Sequence, residues 1–329
     1  MIDKIEPKPK IPEALRLAAL QRQIIPFIGA GVSQLGGCPG WDQFANDTLK
    51  FFVQKGKLTH AQLDQIRSLS SRVKLSLALE LERKYSLPIG FKELLKPSDK
   101  EKIAIGDGVY KSLSRLATTF VTTNYDDWLD RMPPAVPQPA QIQSSQPMDT
   151  SRRRFCKRNE LTVENLDVSN AVFHIHGSVH EQGSMILTAV DYLDRYSSHR
   201  LDGGPDGENP FLTFLQTLFK LKNVLFLGYG LSELEVLEYV VQKGIKRQTQ
   251  GDEESPRHYV LQGFFSHELE LARSLESYFL QFGIGLLPFS RDERDWRQLA
   301  EVISYLADEI PPGPVLALPK RLEMKELLP

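Results

Sequence analysis

The sequence predicts an α/β protein built on a parallel sheet with helices on both of its faces. Three observations carry this prediction: the length, the composition, and the alternation of short apolar runs with helical patterns. The chain has 329 residues, of which 41% are hydrophobic and 25% charged, so it contains enough apolar material for a sizeable core. Continuous apolar runs are typical of buried parallel strands, and their alternation with helices favours a parallel sheet.

Six apolar runs have the length of a strand, and several end at a glycine or at polar turn residues. These runs are 24–28, 120–123, 171–175, 224–227, 258–261 and 285–289. Apolar residues at helical spacing lie between and around them. The helical patterns cover 12–23, 211–219, 233–243, 267–282 and 292–308.

The remaining segments predict an interrupted domain. Residues 41–111 contain no convincing strand and have the pattern of three or four helices, so we predict a helical insertion there. The main α/β domain would then consist of 1–40 and 112–310. The stretch 131–160 is first rich in proline and then basic, which predicts a flexible loop, and 311–329 predicts an extended C-terminal arm.

Charge and cysteine content exclude several classes of protein. Lysine and arginine total 40 against 42 acidic residues, which argues against direct nucleic-acid binding. Two cysteines, Cys38 and Cys156, cannot form a disulfide framework or a four-cysteine zinc ribbon. The first residues lack the apolar core of a signal peptide, and charges interrupt the most apolar window. We therefore expect a cytoplasmic protein without a membrane span.

Two glycine-containing turns follow strands and are candidates for binding phosphate groups. Residues 29–33 (GAGVS) follow the first strand, and 228–232 (GYGLS) follow the fourth. Glycines let backbone N–H groups approach a pyrophosphate. Gln34 occupies the third glycine position of the dehydrogenase fingerprint, which argues against a dehydrogenase. A plain tight turn, and at Ser232 a helix cap, are the alternative interpretations.

Two polar motifs follow other strands at the edge where ligands of open α/β sheets bind. In 122–126 (TTNYD), Asn124 could orient a water or a ribose hydroxyl and Asp126 could accept from hydroxyls, unless they only close an Asx-turn. In 174–178 (HIHGS), His176 is a candidate general base, because the pKa of histidine lies near neutrality. A structural histidine pair is the alternative. Metal binding by residues 174, 176 and 180 has no support from an acidic cluster.

The order of the four motifs, GAGVS, TTNYD, HIHGS and GYGLS, resembles the sirtuin superfamily of NAD-binding proteins over roughly residues 24–289, apart from the helical insertion and the proline-rich loop. The segment 37–41 (GCPGW) also resembles the cofactor loop of that superfamily. Within it, the chain is most similar to the bacterial sirtuin-like NAD hydrolases of antiphage defence systems. This resemblance implies a Rossmann-like fold. It also puts peptide deacylation in doubt, since the deacylating members carry a four-cysteine zinc module that this sequence cannot build.

The resemblance implies roles for individual residues. Residues that would bind NAD+ are Gly29, Ala30, Gly31, Ser33, Trp41, Thr123, Gly228, Gly230 and Ser232. Residues that would be catalytic are Asn124, Asp126 and His176. No metal ligand and no zinc are expected.

The implied function is an NAD+ glycohydrolase that depletes cellular NAD+, with NAD+ as substrate, Asn124 positioning water and His176 acting as general base. The resemblance also implies a homo-oligomer or a sensor partner such as a HerA-like hexameric ATPase. A non-catalytic sensor of NAD or of an ADP-ribose derivative is the second hypothesis. A zinc-free protein deacylase or ADP-ribosyltransferase is the third.

Overall fold

The computed structural model describes residues 2–133, 152–196, 209–229 and 256–313. Its strands form one seven-stranded sheet in the order β3-β4-β2-β1-β5-β6-β7, and every neighbouring pair is parallel. The strands are β1 (Ile24–Ile28), β2 (Phe120–Thr122), β3 (Arg153–Phe155), β4 (Ala171–His174), β5 (Asn223–Leu227), β6 (His258–Phe264) and β7 (Ile284–Ser290). The predicted α/β class with a parallel sheet is confirmed.

Twelve α-helices accompany the sheet within the described residues. They are α1 (Glu13–Leu20), α2 (Ala30–Leu35), α3 (Trp41–Gln54), α4 (His60–Gln65), α5 (Ser71–Tyr85), α6 (Phe91–Leu95), α7 (Lys100–Leu116), α8 (Trp128–Arg131), α9 (Ala189–Tyr196), α10 (Pro210–Leu221), α11 (Leu269–Leu280) and α12 (Gln298–Glu309). No helix in this part of the chain is both long enough and apolar enough to span a membrane. The helix predicted over 233–243 and the end of the predicted C-terminal arm lie outside the described residues.

Apolar layers cover both faces of the sheet. Side chains alternate along each strand, so Ile24 and Ile28 of β1 join one layer and Ile25 and Phe27 join the other. Helices α1, α7 and α12 contribute to the first layer, and α10 and α11 to the second. Burial on both faces is the reason why these strands are continuous apolar runs in the sequence.

A third apolar cluster lies among the helices between β1 and β2. It joins α3, α5 and α6 with Tyr125 and Met185 from the sheet edge. Five helices begin between residues 41 and 111, where the sequence predicted three or four. The last of them, α7, packs Tyr110 and Leu113 into the first layer on the sheet. The division of the chain into a main domain and an insertion stays a prediction.

Strand β3 is absent from the sequence prediction, which placed it in the flexible loop 131–160. It lies at the edge of the sheet and only Phe155 is buried, so it has no apolar run to reveal it. The Phe155 ring stacks on Phe173 of β4 at 4.9 Å between centroids. The buried Arg152 precedes the strand and donates to the carbonyl oxygens of Thr118 and Met132. Residues 134–151 of the predicted loop lie outside the described residues.

A buried histidine at the start of β6 predicts a loss of stability in acid. His258 is 3% exposed, and its Nδ1 accepts a hydrogen bond from the backbone N–H of Val224 at 3.2 Å. Burial, with a smaller effect from the charge of Arg257, lowers the pKa of His258 to about 4. The unfolded chain takes up this proton near pH 6.5, so the free energy of unfolding falls as the pH falls from 6.5 towards 4.

We expect His258 to account for a loss of about 2 kcal/mol in the free energy of unfolding between pH 8 and pH 5. Urea unfolding at the two pH values checks this, and the variant His258→Gln should lose less stability between them than the parent. The exposed His60 at the start of α4 provides the matched control, His60→Gln. Equal losses in the parent and in His258→Gln would contradict the assignment.

Candidate functional site

The centre of the site is the crevice between the carboxyl ends of β1 and β5. From β1 the chain continues to β2 on one side, whereas β5 lies on the other side and leads to β6 and β7. The strand order therefore reverses between β1 and β5, and ligands of open α/β sheets bind at such a point. The turns after both strands are the two glycine motifs of the sequence.

The two glycine turns are packed directly against each other. The N–H of Gly31 donates to the carbonyl of Gly228 at 2.9 Å, and the N–H of Gly29 donates to the carbonyl of Leu227 at 2.9 Å. A Cβ atom on Gly31 would lie 2.8 Å from the Gly228 carbonyl oxygen. Gly228 has a φ of +67°, which side chains rarely adopt. The N–H groups of Gly29 and Gly31, which the sequence predicts to approach a pyrophosphate, thus donate hydrogen bonds within the protein.

A pocket of about 470 Å³ opens beside these turns, on the side of β5, β6 and β7. Its volume lies in the range of small-molecule sites. Its lining residues are Ala30, Gly31, Gln34, Leu35, Lys102, Ile105, Gly228, Tyr229, Leu261, Gln262, Phe289, Trp296, Arg297 and Leu299. This combination of apolar walls, two amides and two cations fits a nucleotide carrying phosphate groups.

On the other side of the crevice, Asn124 connects the end of β2 to the turn after β1. Its Nδ2 donates to the carbonyl oxygen of Gly29 at 3.0 Å and to Oγ of Ser33 at 2.7 Å. Because a carbonyl oxygen can only accept, the atom facing Gly29 must be the amide nitrogen. The side-chain oxygen of Asn124 therefore points away from these partners and makes no hydrogen bond to the described residues.

Ser33 and Asp126 complete this network. The Ser33 hydroxyl donates to Oδ2 of Asp126 at 2.6 Å and lies 2.9 Å from the hydroxyl of Tyr110. The second carboxylate oxygen of Asp126 accepts from the N–H of Trp128 at 3.1 Å. Burial raises the pKa of Asp126, although the bonds from Ser33 and Trp128 oppose this. The serine hydroxyl expected at the NAD phosphates is thus engaged with Asn124 and Asp126.

His174, the first histidine of HIHGS, is fully buried and supports Asn124. Its Nδ1 donates to the backbone carbonyl of Asn124 at 2.9 Å, and its Nε2 lies 3.1 Å from Oδ2 of Asp130. Arg154 of β3 donates to the other oxygen of Asp130 at 2.9 Å. Burial alone would lower the pKa of His174, but the hydrogen bond and the charge of Asp130 outweigh it and raise the pKa. Both ring nitrogens of His174 thus face acceptor oxygens, an arrangement that favours the protonated imidazole.

His176, the second histidine, lies two residues beyond the end of β4. The register pairs Thr122 with His174, so Asn124 and His176 each lie two residues beyond that pair. His176 is half-buried, and its Nε2 lies 2.8 Å from the hydroxyl of Tyr196. Burial, followed by the charges of Arg195 and Arg72, lowers the pKa of His176 to about 3. Its imidazole is thus neutral at pH 7.

The three histidines of the alternative metal site have separate partners. His180 lies 3.2 Å from Oδ2 of Asp127, while His174 and His176 contact Asp130 and Tyr196. In the part of the chain that the structure describes, no group of three His, Cys, Asp or Glu side chains could hold a metal ion. These contacts give metal binding no support.

The remaining predicted site residues lie around the same crevice. Thr123 accepts at Oγ1 from the Tyr229 hydroxyl at 3.1 Å, which links the ends of β2 and β5. Trp41 begins α3, with its ring 5.7 Å from that of Tyr125. Ala30 and Gly228 line the pocket. Gly230 and Ser232 lie outside the described residues.

Sequence analysis missed several residues that shape the site. Tyr110 contacts Ser33 from α7, and Tyr196 contacts His176 from α9. Lys102 and Arg297 line the pocket. Tyr192 and Tyr196 are four residues apart, which places both on one face of a helix. This spacing is the one feature of the sequence that could have indicated Tyr196. The other contacts join residues far apart in the chain.

This geometry defines a class: a Rossmann-like α/β protein whose ligand crevice lies where the strand order of a parallel sheet reverses. The family model of the SIR2-like domain matches residues 118–282, which is half of the chain, and the protein belongs to that family. Membership implies an NAD-related activity. Comparison with curated proteins gives no match to the chain.

Proposed function

We propose that the protein is an NAD+ glycohydrolase, which cleaves the bond between nicotinamide and ribose. One observation carries the proposal. Asn124 and His176 follow neighbouring parallel strands on one side of the crevice, each two residues beyond the paired Thr122 and His174, and a pocket of about 470 Å³ opens on the other side, beside the turn at Gly29 to which Asn124 donates. A dinucleotide has the same layout, with its reactive bond at one end and adenosine at the other.

This layout supports one direction of NAD+ in the site. Adenosine would occupy the pocket beside β5, β6 and β7, and the pyrophosphate would pass the turn at Ala30. The nicotinamide ribose would then reach Asn124 and His176. The opposite direction would place the reactive bond beside Leu261 and Phe289, where the described lining residues include neither a histidine nor a carboxylate.

The chemistry demands little beyond orientation. Nicotinamide leaves as a neutral molecule and takes the electron pair of the broken C–N bond, and the ribose passes through an oxocarbenium-like state. The side-chain oxygen of Asn124 would accept a hydrogen bond from the attacking water. As the water oxygen bonds to C1′, its proton would pass to the neutral imidazole of His176. Asp126 would hold Ser33, and through it the amide of Asn124.

The low pKa of His176 predicts an unusual pH profile. For a histidine with an ordinary pKa near 6.5, the unprotonated fraction would fall about 25-fold between pH 7 and pH 5. With a pKa of about 3, His176 stays unprotonated over that range. We expect kcat/KM for NAD+, which reports the free enzyme, to be flat from pH 5 to pH 8.

Initial rates of nicotinamide release across this pH range check the profile. Asp126 has a raised pKa, so the variant Asp126→Asn separates its contribution. A fall in acid that disappears in Asp126→Asn belongs to the carboxyl group. A fall with a midpoint near 6.5 that persists in this variant would speak against a strongly lowered pKa of His176.

We further propose that the activity depletes cellular NAD+ as an effector of antiphage defence. Support comes from the resemblance of the four motifs to bacterial sirtuin-like NAD hydrolases. Such an activity must be restrained in a healthy cell, so a homo-oligomer or a partner such as a HerA-like ATPase belongs to the proposal. Measurement of NAD+ in infected cells, with and without the gene and its neighbours, tests this role.

The direct test of the reaction is incubation of the pure protein with NAD+, with the products separated by chromatography. Release of nicotinamide together with ADP-ribose would support hydrolysis, and a cyclic product would indicate attack by the ribosyl group on itself. Binding of NAD+ without release, both alone and with the candidate partner, would contradict the proposal. That result would favour a non-catalytic sensor of NAD.

A further inference from the structure

We infer that the pocket accepts the 2′-phosphate of NADP+, with Lys102 and Arg297 as the residues that bind this phosphate. The inference rests on the proposed direction of the dinucleotide, in which the adenosine ribose lies in the pocket. It extends the substrate class of the site from NAD+ to 2′-phosphorylated dinucleotides.

The first argument is the charge of the pocket wall. Among the fourteen lining residues of the described chain, two are cations and none is a carboxylate. Sites that select NAD+ commonly place an Asp or Glu on the ribose 2′-hydroxyl, whereas an arginine accommodates the 2′-phosphate of NADP+. A carboxylate at this place would repel the phosphate, and the lining residues that the structure describes include none.

The second argument is that both cations can still bind an anion. Lys102 in the first turn of α7 is exposed and makes no ion pair with the described residues. Arg297 pairs with Glu101 at 3.2 Å, and both side chains are more than 60% exposed. Exposed pairs of this kind contribute little, so a phosphate can replace or share the contact. The planar guanidinium offers further N–H donors for that purpose.

The third argument is that the neighbouring groups suit an adenosine. Trp296 directly precedes Arg297, is 48% exposed, and packs at 4.0 Å on the guanidinium of Arg291, which holds the ring in place. An indole held in this way can support a purine by stacking. Gln262 of β6 lines the pocket, and its side-chain amide can form hydrogen bonds with the ribose hydroxyls.

The test measures nicotinamide release by the full chain from NAD+ and from NADP+ in separate reactions. We expect kcat/KM for NADP+ to be at least equal to that for NAD+. Lys102→Ala and Arg297→Ala should each lower the ratio of the two kcat/KM values by about tenfold or more, the effect of losing one charge-assisted hydrogen bond. Lys102→Glu should lower it further, because it adds a repelling charge.

Two exposed cations that do not line the pocket provide matched controls. Lys100 lies two residues before Lys102 in α7, and Arg294 pairs with Glu301. Lys100→Ala and Arg294→Ala should keep the parent ratio, which separates a local contact from the general charge of the protein. Thermal unfolding of all four alanine variants shows whether they remain folded.

Failure of this inference can be distinguished from failure of the proposed function. Cleavage of NAD+ with a kcat/KM for NADP+ below about a tenth of that value, or an unchanged ratio in Lys102→Ala and Arg297→Ala, would overturn the inference and leave the function intact. If neither dinucleotide releases nicotinamide, the function fails and calorimetry decides the inference. The inference then requires that the parent protein binds NADP+ more tightly than NAD+, and that Lys102→Ala and Arg297→Ala bind the two dinucleotides with similar affinity. Equal or weaker binding overturns it.

Discussion

The variant His176→Ala is expected to release nicotinamide from NAD+ about a hundredfold or more slowly than the parent protein. In the proposed mechanism the neutral imidazole of His176 accepts the proton of the attacking water, so its removal would leave that water without a base. Affinity for NAD+ should change little, because the pocket and the glycine turns lie on the other side of Asn124. Initial rates by chromatography and binding by calorimetry separate these two effects.

Two further variants guard this prediction against a trivial loss of folding. His176→Gln keeps most of the side-chain volume beside Tyr196, and it should be equally inactive while unfolding at the parent temperature. His180→Ala removes an exposed histidine four residues away, and it should keep the parent rate. If His176→Ala retained full activity, the general base would have to be sought elsewhere in the site.

The variant Gly31→Ala is expected to damage both the fold and the site. Its Cβ would lie 2.8 Å from the Gly228 carbonyl oxygen, and backbone atoms cannot swing aside as a flexible side chain can. The two turns must separate, which costs the hydrogen bond from Gly31 to Gly228. Together these effects should lower the free energy of unfolding by about 2–3 kcal/mol and weaken the binding of NAD+.

Gly108 offers a matched control for this prediction. It lies in the interior of α7, is exposed, and a Cβ there would meet no atom within 4 Å. Gly108→Ala should therefore stabilise the protein by up to about 1 kcal/mol, the difference in helix propensity. Urea unfolding compares the two variants. Equal stability of Gly31→Ala and Gly108→Ala would contradict the close contact between the two turns, because it would mean that a Cβ atom fits at Gly31.

The fold could be predicted from the sequence wherever burial leaves a periodic pattern. Six of the seven strands are apolar runs, because helices cover both faces of the sheet. Strand β3 was not predicted because it is short, contains two arginines and lies at the edge of the sheet. The number of helices before β2 was underestimated, since α4 and α6 are only six and five residues long and their patterns are too short to separate.

The site could be predicted only as a set of positions. The four motifs lie after parallel strands, so the sequence could place them at one edge of the sheet, and described residues of all four lie there. The sequence could not predict which partners each side chain chooses. Ser33 contacts Tyr110, which is 77 residues away, and His174 contacts Asp130, which is 44 residues away. Such choices depend on packing that no local pattern encodes.

A chain of contacts runs from Arg154 through Asp130 and His174 to Asn124, and it connects the edge strand of the sheet to the candidate site. Strand β3 supplies Arg154 and, among the described strands, pairs only with β4, so it forms the outer margin of the sheet on that side. Three hydrogen bonds separate this margin from the residue proposed to aim the water. In the proposed mechanism, displacement of this edge strand would therefore move Asn124 and misdirect the attacking water. The order of an edge strand would then contribute to the rate of a reaction that takes place elsewhere on the sheet.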